Sequence, residues 1–117
     1  MIKTNNLVTL NASPSDDEYL ASVYLEFDEQ EYFTLAFSEY EKDEAIYIEN
    51  ATQSQSIRSN NIDYKLSNDS LIFSFDDEIR KSLNLKHNTF YVSFDLNKED
   101  HKNLKESLKA VFKNVKS

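Results

Sequence analysis

No glycine occurs anywhere in the 117 residues. A chain of this length ordinarily carries about eight, at roughly 7% usage. Walker-type phosphate loops, dinucleotide-binding turns, nucleophile elbows and EF-hand calcium loops each depend on glycine, because only a residue without a Cβ permits their positive φ angles and close backbone approaches. All four are excluded. Asparagine, the next best tolerated residue at positive φ, is expected to make the turns instead. Asn5-Asn6, Asn60-Asn61, Asn68-Asp69 and Asn88 stand at the expected breaks.

Between those breaks apolar residues recur every second position, the period of a half-buried strand. Alternation runs over 21–27, 31–37, 45–49, 62–66, 71–75 and 90–94, with a shorter run from Leu7 to Leu10. Connections this short join antiparallel neighbours, since a parallel pair needs a crossover of about a dozen residues or more. Two segments follow another period. Leu104, Leu108, Val111, Phe112 and Val115 make one apolar stripe at helical spacing, with Asn97 as N-cap and Lys102, Lys105, Lys109 and Lys113 on the other faces. A shorter helix is expected over 76–85, where Ile79 and Leu83 share a face and Asp76 and Asp77 cap the start. The fold class is therefore α+β: an antiparallel sheet of about six strands, a C-terminal amphipathic helix on one face and a short helix before the last strand. Pro14 is the only proline, and neither linker nor repeat is visible, so residues 1–117 are expected to form a single domain.

Charge is distributed unevenly. Twelve acidic residues lie between Asp16 and Glu49 against one basic residue, Lys42, so that segment carries −11 of a chain whose net charge is −8. From Lys98 onward the balance is +3, six lysines against Glu99, Asp100 and Glu106. Such a field repels nucleic-acid phosphates and anionic membranes and steers basic protein surfaces toward the acidic side. The chain has no cysteine, which excludes a disulfide framework and thiol chemistry and suits a reducing cytoplasm. Neither an apolar leader segment nor a run of 18 apolar residues is present, so neither secretion by a signal peptide nor membrane spanning is expected.

The acidic residues admit three readings: chemistry, a binding face, or a solvated surface. Metal binding would have to use His87 and His101, fourteen positions apart and outside any ligand spacing. The pairs Asp16/Asp17 and Asp76/Asp77 invite a glycosidase or calcium reading, but a general acid needs a carboxyl raised by burial. Tyr32, Tyr47 and Tyr91 fall on outward strand faces, where they could stack bases or simply pack against neighbouring strands, and base stacking without a basic groove is seldom sufficient.

The segments EYFTLAFS (31–38), EYEKDE (39–44), IYIE (46–49), NNIDYKL (60–66), LIFSF (71–75), LNL (83–85) and FDLNKEDHKNLKESLKAVF (94–112), with Gln53, Gln55 and Ser56 between, follow an order that resembles the tenth numbered immunity-protein family of bacterial polymorphic toxin systems. The likeness spans about Val23 to Phe112. It departs from the family pattern in three places: Phe37 stands where the family has Arg, Lys42-Asp43-Glu44 occupies a shortened acidic loop, and Asn60-Asn61 replaces a pair of glycines. The resemblance implies a small cytoplasmic protein that binds and neutralises a cognate toxin domain; with the charge and residue pattern above, no enzyme activity, cofactor, nucleic acid or membrane contact is expected. Its expected docking rim comprises Asp28, Glu29, Glu31, Tyr32, Glu39, Tyr40, Glu41, Asp43 and Glu44, carboxylates for steering and tyrosines as anchors. Two other readings stand beside it: a metal-dependent hydrolase built on the acidic cluster, and an acidic inhibitor that mimics nucleic acid.

Overall fold

A computed structural model describes residues 4–15, 20–28, 31–38, 45–113 and 115. The order along the chain is β1 (Thr4–Ser13), β2 (Leu20–Phe27), β3 (Tyr32–Ser38), β4 (Ile46–Asn50), β5 (Thr52–Ser59), β6 (Ile62–Leu66), β7 (Ser70–Phe75), α1 (Asp77–Ser82), β8 (Thr89–Ser93) and α2 (Lys98–Val111). The α+β class holds, but the sheet is mixed and has eight strands, in the order β5-β4-β3-β2-β1-β8-β7-β6, where about six antiparallel ones were expected. Two causes account for the difference. β5, TQSQSIRS, has Ile57 as its only apolar residue, so it carries no alternation to detect; an edge strand needs little apolar surface. β1 is ten residues long and mostly polar, and its first three residues pair in parallel with β8: Thr4 with Tyr91, Asn5 with Val92, Asn6 with Ser93. Asn5-Asn6, expected as a turn, therefore lies within a strand. Asn5 is buried and its side-chain amide donates to the Tyr91 carbonyl at 3.0 Å.

A bulge at Val8 lets β1 serve both halves of the sheet. The register with β2 shifts between Leu7 and Thr9, which exposes Val8 and turns Leu10 and Ala12 inward after Leu7. Bulges bend and twist the strand that carries them, and here the bend is large. Phe33 on β3 stacks on Phe73 of β7 with ring centroids 5.1 Å apart. Across four strand spacings of a flat sheet the separation would be about 19 Å. The edges tell the same story: β5 and β6 are opposite margins of the sheet, yet only Asn60 and Asn61 join them. Three Cα steps reach at most about 11 Å. The sheet is therefore curled toward closure, with Val23, Leu25, Phe33, Leu35, Ile46, Ile48, Leu71 and Phe73 sealed inside.

The two helices close the curl. Asp76 caps α1 by accepting from the Ile79 amide at 2.9 Å, and Ile79 and Leu83 are fully buried where α1 meets β5. The Asn50 side-chain amide adds a bond to the Leu83 carbonyl at 3.0 Å. Asn97 caps α2 through the Asp100 amide, as the sequence suggests. Leu104, Leu108, Val111 and Phe112 bury the stripe against β1, β2 and β3, while the Phe112 ring meets Tyr64 of β6 at 4.6 Å. Polar contacts pin α2 to both sides: the Asn103 amide donates to the Ala12 carbonyl at 2.8 Å, and His101 bonds the Ser67 carbonyl at 3.0 Å. Ser107 points into this core, fully buried, and its hydroxyl has no partner among the described residues. An unsatisfied buried hydroxyl costs about 1–3 kcal/mol. Ser107→Ala should accordingly raise the unfolding free energy by about 1 kcal/mol in a urea titration; a loss of stability would mean that the hydroxyl is bonded.

Asn60-Asn61, Asn68-Asp69 and Asn88 lie in connections, as expected, but the left-handed backbone falls elsewhere. Among the described residues positive φ occurs at Ala51 (66°) and Asn84 (56°), not at the asparagine pairs. Asn84 follows the α1 cap, and the Asn84 and Leu85 amides return to the Lys81 and Arg80 carbonyls at 3.1 and 3.0 Å. That pair of bonds is the Schellman ending, in which Asn is the usual substitute for Gly. Ala51, between β4 and β5, has no such excuse, since its Cβ opposes the left-handed region by about 1–2 kcal/mol. Ala51→Gly should stabilise the protein by about 1 kcal/mol, measurable as a higher denaturation midpoint with an unchanged slope.

Candidate functional site

The outward face of β2–β5 carries the most unusual chemistry of the described residues. Register fixes its layout: Tyr24 stands opposite Thr34, Thr34 opposite Glu49, and Glu49 opposite Ser56, while the adjacent row runs Ser22, Ala36, Tyr47, Arg58. Tyr32, one row further, packs its ring on Tyr24 at 5.5 Å. The hydroxyls of Tyr32 and Tyr47 both donate to Glu49, one to each carboxylate oxygen. Glu49 is 8% exposed, although it projects from the solvent side of the sheet. The rings of its neighbours wall it off from water.

A carboxylate so enclosed loses hydration, and two phenol donors replace it with charge-assisted hydrogen bonds. The phenols respond in turn. The bond to Glu49, together with burial and the negative charge, pushes the Tyr32 hydroxyl up to about 12. Burial, then the bond to Glu49, raises the Tyr47 hydroxyl. Both therefore remain protonated donors throughout the physiological range, and their rings are held in fixed orientations. The Arg58 guanidinium lies 5.4 Å from the centre of the Tyr47 ring. Beside it a shallow hollow of about 160 Å³ is lined by Leu20, Ala36, Ser38, Tyr47 and Arg58. This is a rigid aromatic platform with a polar margin, suited to making contact.

The expected docking residues divide into two groups. Asp28 and Glu31 are exposed at the β2–β3 connection, which the Phe27 amide closes by donating to the Glu31 carbonyl at 2.8 Å. Tyr32 begins β3 on the outward face and is half-buried, engaged with Tyr24 and Glu49. Glu29, Glu39, Tyr40, Glu41, Asp43 and Glu44 lie outside the described residues. The meander nevertheless fixes where their connections attach. Phe27 and Tyr32 flank the first connection, and Ser38 and Ile46 flank the second, at the other end of a seven-residue strand about 20 Å long. Of the expected docking residues that are described, Asp28 and Glu31 border the tyrosine platform and Tyr32 belongs to it. Glu49, Tyr24 and Arg58 were absent from the expected set. Only the period-2 alternation that puts Tyr47 and Glu49 on one face hinted at them.

Of the two acidic pairs, Asp16/Asp17 lies outside the described residues and Asp76/Asp77 is structural. Asp76 is the α1 cap, and Asp77 is held below the usual carboxylate range by the Asn88 amide at 3.0 Å and by Arg80, whose Nε lies 3.5 Å away. His87 is exposed, and no group of three or more His, Asp or Glu side chains suited to a metal ion occurs among the described residues. No helix there is long and apolar enough to cross a membrane. Compared with protein-family models, curated proteins and solved structures, the chain matches none.

Proposed function

We propose that this chain is a protein-binding inhibitor, an immunity protein that neutralises a cognate bacterial toxin domain in the cytoplasm. The immunity role rests on the order of sequence segments. The observation that supports a binding role is the Tyr24–Tyr32–Glu49–Tyr47 platform, with Asp28 and Glu31 at its border. Tyrosines whose rings are already fixed lose little conformational freedom on docking, which is what makes them effective interface anchors. Carboxylates beside them accelerate encounter with a basic partner without having to be buried. The interface we assign is the platform with Asp28 and Glu31 at its border.

The test is association kinetics with the toxin domain encoded beside this chain. A 1:1 complex is expected, and charge reversal by Asp28→Lys with Glu31→Lys should slow association about tenfold at 20 mM salt and much less at 500 mM, where the Debye length falls to a few ångströms. Reversal at Glu41, Asp43 and Glu44 should have a smaller effect. If the 41/43/44 variant is the slower one, the docking end is misassigned; if no complex forms with the neighbouring toxin, the immunity function is wrong.

A further inference from the structure

Along the first turns of α2 the charge changes sign. A cleft of about 420 Å³ between α2 and the β6–β7 turn is lined by Asn68, Leu96, Lys98, His101, Lys102 and Lys105. No carboxylate lines it among the described residues, in a chain whose net charge is −8. Lys98, Lys102 and Lys105 are spaced i, i+4, i+7, which sets three ammonium groups along one face of α2 within an arc of about 60°. Like charges at i, i+4 destabilise a helix. The stripe is nevertheless not neutralised from outside: none of the three lysines is ion-paired with a described residue.

The wall of the cleft is fixed. A carbonyl can only accept, so His101 donates from Nε2 to the Ser67 oxygen at 3.0 Å, and its ring also rests 5.9 Å from that of Phe94. The Asn68 side-chain amide can donate from the turn, and Leu96 supplies an apolar patch. The volume falls within the range of small-molecule sites, and a few convergent donors stand beside one apolar surface.

We infer that this cleft binds a phosphate-bearing small molecule, the three lysines taking the phosphate oxygens and Leu96 the apolar body. Oxyanion binding relieves the repulsion along α2, which links occupancy of the cleft to the stability of the helix. The site is separate from the tyrosine platform, and neither assignment depends on the other.

The experiment is an amide-resolved NMR titration of the full chain with sodium pyrophosphate, against sodium chloride at matched ionic strength. Saturable one-site shifts are expected at Asn68, Leu96 and 98–105, with no equivalent response to chloride. The variant Lys98→Ala/Lys102→Ala/Lys105→Ala changes only exposed side chains, so its spectrum elsewhere should be preserved while pyrophosphate affinity falls about tenfold or more. Shifts spread equally over Lys65, Lys81 and Lys86, a matching chloride response, or unchanged affinity in the triple variant would each overturn the assignment. So would a short single-stranded oligonucleotide that displaces pyrophosphate and binds the same residues more tightly, since the cleft would then serve a nucleic-acid strand.

Discussion

Phe33→Ala is expected to lower the unfolding free energy by about 4 kcal/mol, near the upper end for a buried aromatic truncation. The ring is fully buried and stacks on both Phe73, at 5.1 Å, and Phe90, at 4.5 Å. Those partners belong to the β6–β8 half of the sheet, so the substitution removes burial and also the aromatic tie across the curl. Domains of this size are held by about 5–15 kcal/mol in total, and a loss of this order brings the protein close to unfolding at room temperature. Phe37→Ala is the comparison: an equally large side chain, 3% exposed, on the same strand and the same face. Guanidinium denaturation of the two variants should show the larger drop for Phe33. Equal losses would mean that the tie across the two halves adds nothing beyond burial.

Glu49→Gln should affect stability and tyrosine ionisation together. Replacing the enclosed carboxylate removes the charge assistance from two hydrogen bonds, and about 2 kcal/mol should be lost at pH 7. In absorbance titration Tyr32 of the wild-type protein should ionise near 12, and the variant should bring it back toward the ordinary value of 10. The sign of the stability effect follows from proton linkage. Between pH 10 and 12 the unfolded Tyr32 has already released a proton that the folded one retains, so the native state binds more protons and stability falls as pH rises. The contribution is complete below pH 10 and gone above about 12. Urea midpoints measured from pH 8 to 12 should therefore converge for wild type and variant at the alkaline end. Parallel curves across that range would dissociate Tyr32 from Glu49.

Most strands were legible because their two faces differ in hydropathy. On the inward faces of β2, β3 and β4 every buried residue is apolar, and the boundaries fall within a residue or so of the expected ones. Both helices announced themselves through a cap and a stripe: Asp76 with Ile79 and Leu83, Asn97 with Leu104 and Leu108. β5 was silent, because a strand on the margin of a sheet can be built from Thr, Gln and Ser. The parallel pairing of Thr4–Asn6 with β8 was equally hidden, since a three-residue polar ladder leaves no periodic trace. The site was half legible for a related reason. Alternation puts Tyr32, Tyr47 and Glu49 outward, but only the registers of β3 with β4 and of β4 with β5 bring them to one point. A sequence also treats nearby carboxylates as one cluster, whereas a meander sends successive connections to alternate ends.

The seam between β1 and β8 bears on how the protein assembles. Hairpins such as β2–β3 and β6–β7 join neighbours in sequence and can zip on the microsecond scale. The Asn5–Tyr91 contact spans 86 residues. During synthesis the halves must wait for one another, each with its greasy side open, until residues 89–93 have been made. The last stitch, not the first hairpin, sets the interval in which a chaperone would be useful.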